Sequence, residues 1–218
     1  MKLHKLLLTA IAVAAFAGSV ANADVITFEF FSGDPNLGAI ETGGTFTGIQ
    51  DGITFVASAT GPDAVPDLGT NGIGVNSTVA GDASTQIDPG ETLSIEINFD
   101  PTALEVELVS IDLGNIGAPG DGGNITLPDG TTLTYLDGAT APTGFTFTNG
   151  TPDVITADPQ IALATGGTFV FDTPPDTTGE FRIQRLSLHI KPATPVPEPT
   201  SLGLLGLLGL GIVTRRRR

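Results

Sequence analysis

Few residue types in this chain can do chemistry. Cysteine and tryptophan are absent, which removes thiol nucleophiles, thiolate zinc sites and disulfide frameworks. Of the two histidines, only His189 lies outside the amino-terminal segment. Ser187 precedes it by two residues and shares its face if the stretch is extended, but no G-x-S-x-G elbow accompanies the pair. His189 therefore reads as a strand-face residue. The acidic residues number 24, so a carboxylate pair with glycosidase spacing arises by abundance alone. A more specific grouping is AGDASTQIDPGE, where Asp82, Asp88 and Glu91 could converge as oxygen ligands on one calcium ion. GAPGDGGN around Asp121 is a second loop of similar composition. Neither follows the D-x-[DN]-x-[DN]-G-x₅-E spacing, and turn aspartates commonly bond their own backbone. The expectation is no catalytic residue and no cofactor, with Asp82, Asp88 and Glu91 as a weak calcium candidate.

Charge narrows the partners. All 24 acidic residues lie between Asp24 and Glu198, where the only basic residues are Arg182, Arg185 and Lys191. Such a surface repels phosphate backbones, which excludes nucleic acid, and it repels anionic bilayers equally. Neutral glycans, divalent cations and basic surfaces remain compatible with it, and an acidic excess also keeps an exported protein soluble.

The elements that carry these residues are short and separated by turns. In LSIEINF, Leu93, Ile95, Ile97 and Phe99 alternate with Ser94, Glu96 and Asn98, the period of a half-buried strand. VITFEFF, ITFVASAT, FTFTNG and TFVFD add strands, and ITLPDGTTLTYL reads as a hairpin turning at Pro128, Asp129 and Gly130. Two runs change phase. LEVELVSIDLG puts Leu104, Val106 and Leu108 on one face but Val109, Ile111 and Leu113 on the other; FRIQRLSLHI sets Phe181 and Ile183 against Leu186, Leu188 and Ile190. A flip of this kind marks a bulge, or a strand bending between sheets. Residues 61–88, rich in Gly, Asp, Thr and Asn, read as a long loop. The whole predicts an all-β domain of eight to ten strands, an antiparallel β-sandwich, jelly-roll-like, in which the first and last strands pair.

The two ends are of different character. Residues 1–23 join Lys2 and Lys5 to an apolar run and close on Ala21 and Ala23, a signal peptide whose removal leaves Asp24 first. At the other end, residues 202–213 are twelve uncharged Leu, Gly, Ile and Val residues, preceded by Val196, Pro197, Glu198 and Pro199 and followed by Arg215, Arg216, Arg217 and Arg218. As a helix the run spans about 18 Å, short of the roughly 30 Å hydrocarbon core. The arginines stay cytoplasmic and hold the chain transiently, with Pro-Glu-Pro just outside the membrane. The division is thus a signal peptide at 1–23, a β-sandwich at 24–191, a linker at 192–195 and a sorting segment with a hydrophobic helix at 196–218.

In these carboxy-terminal residues the chain resembles the PEP-CTERM family of exported bacterial proteins: the Val-Pro-Glu-Pro of 196–199, the apolar run and the terminal arginine cluster stand in that order. The resemblance implies removal of the tail by an exosortase in a Gram-negative, exopolysaccharide-producing cell. It also implies delivery to the outer surface or biofilm matrix after a transient stay at the inner membrane. The partners so implied are signal peptidase, exosortase and exopolysaccharide. The resemblance leaves the activity of the folded domain open. The primary expectation is a non-enzymatic surface or matrix protein, the alternatives being a carbohydrate-binding module and a polysaccharide-active enzyme.

Overall fold

The structure is a computed structural model and describes residues 24–31, 45–61, 63–76, 86–114, 116, 121–173 and 179–193. Thirteen strands occupy them: β1 (Asp24–Glu29), β2 (Thr45–Gln50), β3 (Ile53–Thr60), β4 (Val65–Gly69), β5 (Gly72–Asn76), β6 (Thr92–Asn98), β7 (Leu104–Gly114), β8 (Gly122–Thr126), β9 (Thr132–Leu136), β10 (Phe145–Thr148), β11 (Asp153–Leu163), β12 (Gly167–Asp172) and β13 (Arg182–Pro192). They form two antiparallel sheets. One has six strands in the order β2-β3-β6-β12-β8-β9. The other runs β10-β11-β7-β13-β5-β4, with β1 also paired to β13. The fold is all-β, as the alternation predicts, with more strands than the eight to ten expected. Among the described residues no helix is long and apolar enough to cross a membrane.

One core fills the space between the sheets. Leu93, Ile95 and Ile97 of β6 are fully buried, and Ser94, Glu96 and Asn98 face outward. Phe55 of β3 contacts rings from both sheets: Phe28 and Phe30 edge-on at 5.3 and 5.5 Å, and Phe46 stacked at 6.0 Å. The Phe55 ring fits because β2 carries Gly48 opposite it, where a Cβ would collide with the ring.

Both phase flips are bulges within a single sheet. Between β7 and β13 the pairs Ser187–Ser110 and Leu188–Leu108 are successive, so Val109 has no opposite number. Gln184 is the extra residue on β13, between the pairs Ile183–Leu113 and Arg185–Asp112. One inserted residue rotates the rest of a strand by one face. Val106, Leu108, Ile111 and Leu113 therefore all reach the same core.

Residues 61–88 are not one long loop. Val65–Gly69 and Gly72–Asn76 form a hairpin at the edge of the seven-stranded sheet. Pro66 is tolerated there because β4 is the edge strand, which has no outer neighbour in need of its N–H. The β2–β3 turn was hidden in the same way. It is the two-residue loop Asp51-Gly52, with φ of 50° and 81°, the doubly positive geometry of a type I′ hairpin.

Candidate functional site

β13 is the strand on which the polar chemistry of the seven-stranded sheet converges. It has β7 on one side; on the other, β1 pairs along Arg185 to Ile190 and β5 meets Ile183. Its outward side chains carry every basic residue found between Asp24 and Glu198. Arg185 donates from Nε to Glu29 Oε1 at 3.0 Å and from Nη1 to Asp112 Oδ2 at 3.4 Å, tying β1 to β7 across β13. Its guanidinium also lies 5.7 Å from the Phe31 ring centre. Lys191 Nζ reaches Glu107 Oε2 at 2.8 Å. That hydrogen bond holds the Glu107 carboxyl below its ordinary pKa, against the opposing pull of burial, with His189 adding to the effect.

His189 stands directly opposite Glu107. Its Nδ1 is 3.1 Å from Glu107 Oε2 and 2.9 Å from Gln160 Oε1. Gln160 arrives from an irregular stretch of β11, where residues 157–160 lie between the pairs Thr156–Ser110 and Ile161–Leu108. The Ser187 hydroxyl pairs with Thr27 Oγ1 at 3.2 Å. Histidine and serine share a face, as extended spacing predicts, but their hydrogen bonds run to other partners. The arrangement is that of a strand-to-strand brace.

A second polar pair spans the two sheets. Tyr135 of β9 donates its phenol proton to Asp153 Oδ2 of β11 at 2.6 Å, and the Gly150 amide donates to Asp153 Oδ1. Both side chains are buried, at 1% and 4% exposure. Burial, and then the Asp153 carboxylate, push the Tyr135 phenol well above its usual range. The adjoining cavity, lined by Leu113, Gly114, Gly150, Pro152, Asp153 and Gln184, measures about 30 Å³. It has room for one water molecule and is far too small for a sugar.

Of the calcium candidates, Asp82 lies outside the described residues. Asp88 and Glu91 are joined through the main chain: the Glu91 amide donates to Asp88 O at 2.9 Å, and the Asp88 amide donates to Glu91 Oε2 at 3.0 Å. This is the local turn bonding that competes with metal ligation. Among the described residues no group of three or more His, Cys, Asp or Glu side chains is placed to hold a metal ion. Asp121 precedes β8, and its carbonyl accepts from the Asp137 amide at 3.0 Å. The preceding residues 117–120 are outside the described residues.

The processing residues are the remaining candidates. Ala21, Ala23, Val196, Pro197, Glu198, Pro199 and Arg215 to Arg218 lie outside the described residues, but the positions flanking them do not. Asp24 begins β1 and pairs with Ile190 near the end of β13, so both ends of the described domain emerge at the same edge. The Ala193 amide donates to Ala103 O at 2.8 Å, anchoring the chain as it leaves the sheet. Pro197 follows four residues later, a reach of at most about 14 Å.

Comparison with known proteins bears on this end of the chain. Residues 195–218 match the PEP-CTERM protein-sorting motif. No curated protein and no solved structure matches the chain. The molecule is therefore an all-β protein of two antiparallel sheets that carries a PEP-CTERM sorting motif. The motif marks it as an exported protein targeted to an exosortase, with processing at the membrane.

Proposed function

We propose that this protein is a non-enzymatic component of the cell surface or extracellular matrix, delivered there when an exosortase removes its carboxy-terminal tail. One observation carries the reading: the sorting motif at 195–218 begins three residues beyond the last residue of β13. The address is thus attached almost directly to the folded domain. The domain's own polar groups support a scaffold role. Arg185, Lys191, His189 and Tyr135 each bond to a neighbouring strand or across the sheets, which spends them on holding the sandwich together. In this reading Glu198, between two prolines, is the recognised residue, and Arg215 to Arg218 hold the precursor in the membrane until cleavage.

The test is the intact mass of protein collected outside the cells, from a strain with its exosortase and from one lacking it. The expected product begins at Asp24 and has lost about 20 residues from its carboxy terminus, as the motif's position requires. Without the exosortase, or with Glu198→Ala, full-length precursor stays with the membrane. Recovery of extracellular protein still ending in its four arginines would overturn the proposal.

A further inference from the structure

The outward faces of the two sheets differ in kind. On the seven-stranded sheet β1, β7 and β13 alternate acid and base, as the braces at Arg185, His189 and Lys191 show. On the six-stranded sheet the outward positions are mostly threonine and serine, with Glu96 and Asp172 as the charged residues of its strands and no Lys or Arg. The registers align these side chains into rows across the strands. One row reads Thr45, Ser58, Ser94, Val170, Thr126 and Thr132, one residue from each of the six strands. None of the six is buried. β-Propensity favours threonine in any strand, but it applies equally to the other sheet, where Glu29, Asp67, Glu105, Glu107, Arg182, Arg185 and Lys191 stand among the outward hydroxyls.

We propose that this hydroxyl-covered face is a docking surface for a neutral polysaccharide. The inference rests on the matrix role proposed above and names what the domain would hold there. Neighbouring strands lie about 4.8 Å apart, close to the length of one pyranose residue. A glycan lying across the strands thus meets a hydroxyl on five of the six strands along a row of roughly 24 Å, Val170 being the exception. Threonine methyls and Val170 offer apolar contact to the C–H faces of the rings. The side chains are partly fixed in advance: Thr126 and Thr132 hydroxyls pair at 3.0 Å, Thr134 donates to Asn124 Oδ1 at 2.9 Å, and Asn124 donates to Asp172 Oδ1 at 3.1 Å. Such preorganisation lowers the entropy cost of binding.

Charge selects the occupant. The domain carries a large acidic excess and this face holds Glu96 and Asp172 with no Lys or Arg, so a polyanionic glycan is repelled, whereas a neutral one can approach. A protein partner fits poorly, because the six-residue row has none of the aromatic or arginine anchors that dominate protein interfaces.

The experiment measures retention of the secreted protein by insoluble cellulose, β-1,3-glucan and galactomannan, with alginate as the acidic comparison. Retention by at least one neutral polymer, unchanged at high salt and absent on alginate, is the expected result. Ser94→Glu with Thr126→Glu should weaken it about tenfold or more, while Thr156→Glu on the opposite sheet leaves it intact. Should the double variant melt early, Ser94→Ala with Thr126→Ala serves in its place, folding being checked by thermal denaturation. No retention by any of the neutral polymers, equal retention by alginate, or retention indifferent to the row substitutions overturns the inference. The mass of the tail is read separately, so lost glycan binding with normal processing sinks this proposal and leaves the sorting reading standing.

Discussion

Replacing Tyr135 with Phe removes one oxygen atom from the interior and is the sharpest test of how the two sheets are held in place. The phenol donates to the Asp153 carboxylate at 2.6 Å, a charge-assisted bond between β9 of one sheet and β11 of the other. Phenylalanine keeps the ring and its edge-on contact with Phe147, whose centroid is 4.8 Å away. The loss is therefore confined to the hydrogen bond and to the exposure of Asp153 to a poorer environment. A hydrogen bond to a charged group contributes about 1.5–3 kcal/mol, and for a domain of this size each kcal/mol moves the melting temperature by about 2–4 °C. Tyr135→Phe should lower Tm by about 3–12 °C. Asp153→Asn should then cost less in the Phe background than in the parent, because the partner it would disappoint is gone. Tyr135 is also the only tyrosine in a chain without tryptophan, so tyrosinate absorbance reports this one group. Its folded pKa is raised, first by burial and then by Asp153. The stability it contributes is thus fully present below the unfolded value of about 10 and is lost as pH rises past it. Absorbance should stay flat through that pH and appear only with alkaline unfolding. A Tm within about 1 °C of the parent, or a reversible titration near pH 10 in the folded protein, would refute the account of this pair.

Three further perturbations probe the rest of the sandwich. Arg185→Met strips Glu29 and Asp112 of their shared cation and should cost about 1–2 kcal/mol in urea denaturation, the guanidinium being partly exposed; adding Asp112→Asn should recover part of it, and no loss at all would show the brace to be idle. Glu180→Gln should stabilise the protein at neutral pH: burial, then the carboxylates of Asp88 and Asp121, raise its folded pKa. The charged form is therefore disfavoured in the fold, so the gain should grow as pH rises through the carboxyl range and vanish in acid; a gain that persists in acid contradicts this sign. Deleting Val109 removes the extra residue and leaves Val106, Leu108, Ile111 and Leu113 in unbroken alternation on the core face, so that variant should fold and melt cooperatively by circular dichroism; deleting Val109 together with Ser110 turns Ile111 and Leu113 away from the core, which should cost more than about 4 kcal/mol and abolish cooperative melting.

The alternation in LSIEINF was legible because one face of β6 is buried and the other open, so the pattern of period two survives into the sequence. The flips at Val109 and Gln184 were legible as interruptions for the same reason. Only the pairing with the neighbouring strand shows them to be bulges and not crossings between sheets. β2 was missed although Asp51-Gly52 is a strong hairpin signal: in TFTGIQ the inward positions are Phe46 and Gly48, too little apolar character to stand out. β4 and β5 hide behind Pro66 and the glycines, which are tolerated at an edge. β11 is broken by Pro159, and β7 absorbs the break at Val109. The Tyr135–Asp153 bond and the hydroxyl rows depend on register between strands far apart in sequence, which no local pattern encodes.

The order of the strands links folding to sorting. β13 is the last strand among the described residues, yet it lies inside its sheet and pairs with β1, β5 and β7. From Asp24 to Phe181 the chain contains no Lys or Arg, so its carboxylates repel one another with no internal cation to offset them. When β13 docks it fills the gap in the sheet and brings Arg185 to Glu29 and Asp112, and Lys191 to Glu107, in one step. Contacts this distant in sequence form late, since the closure entropy must be met before they contribute. The sandwich therefore closes only once residue 192 is available, immediately before the sorting motif at 195. At most about 14 Å of chain separates Ala193, beside the end where β1 begins and β13 closes, from Pro197 of the sorting motif. That end carries Asp24 and Glu105, with Lys191 opposite Glu105, and the domain's acidic excess disfavours its settling onto anionic lipid headgroups.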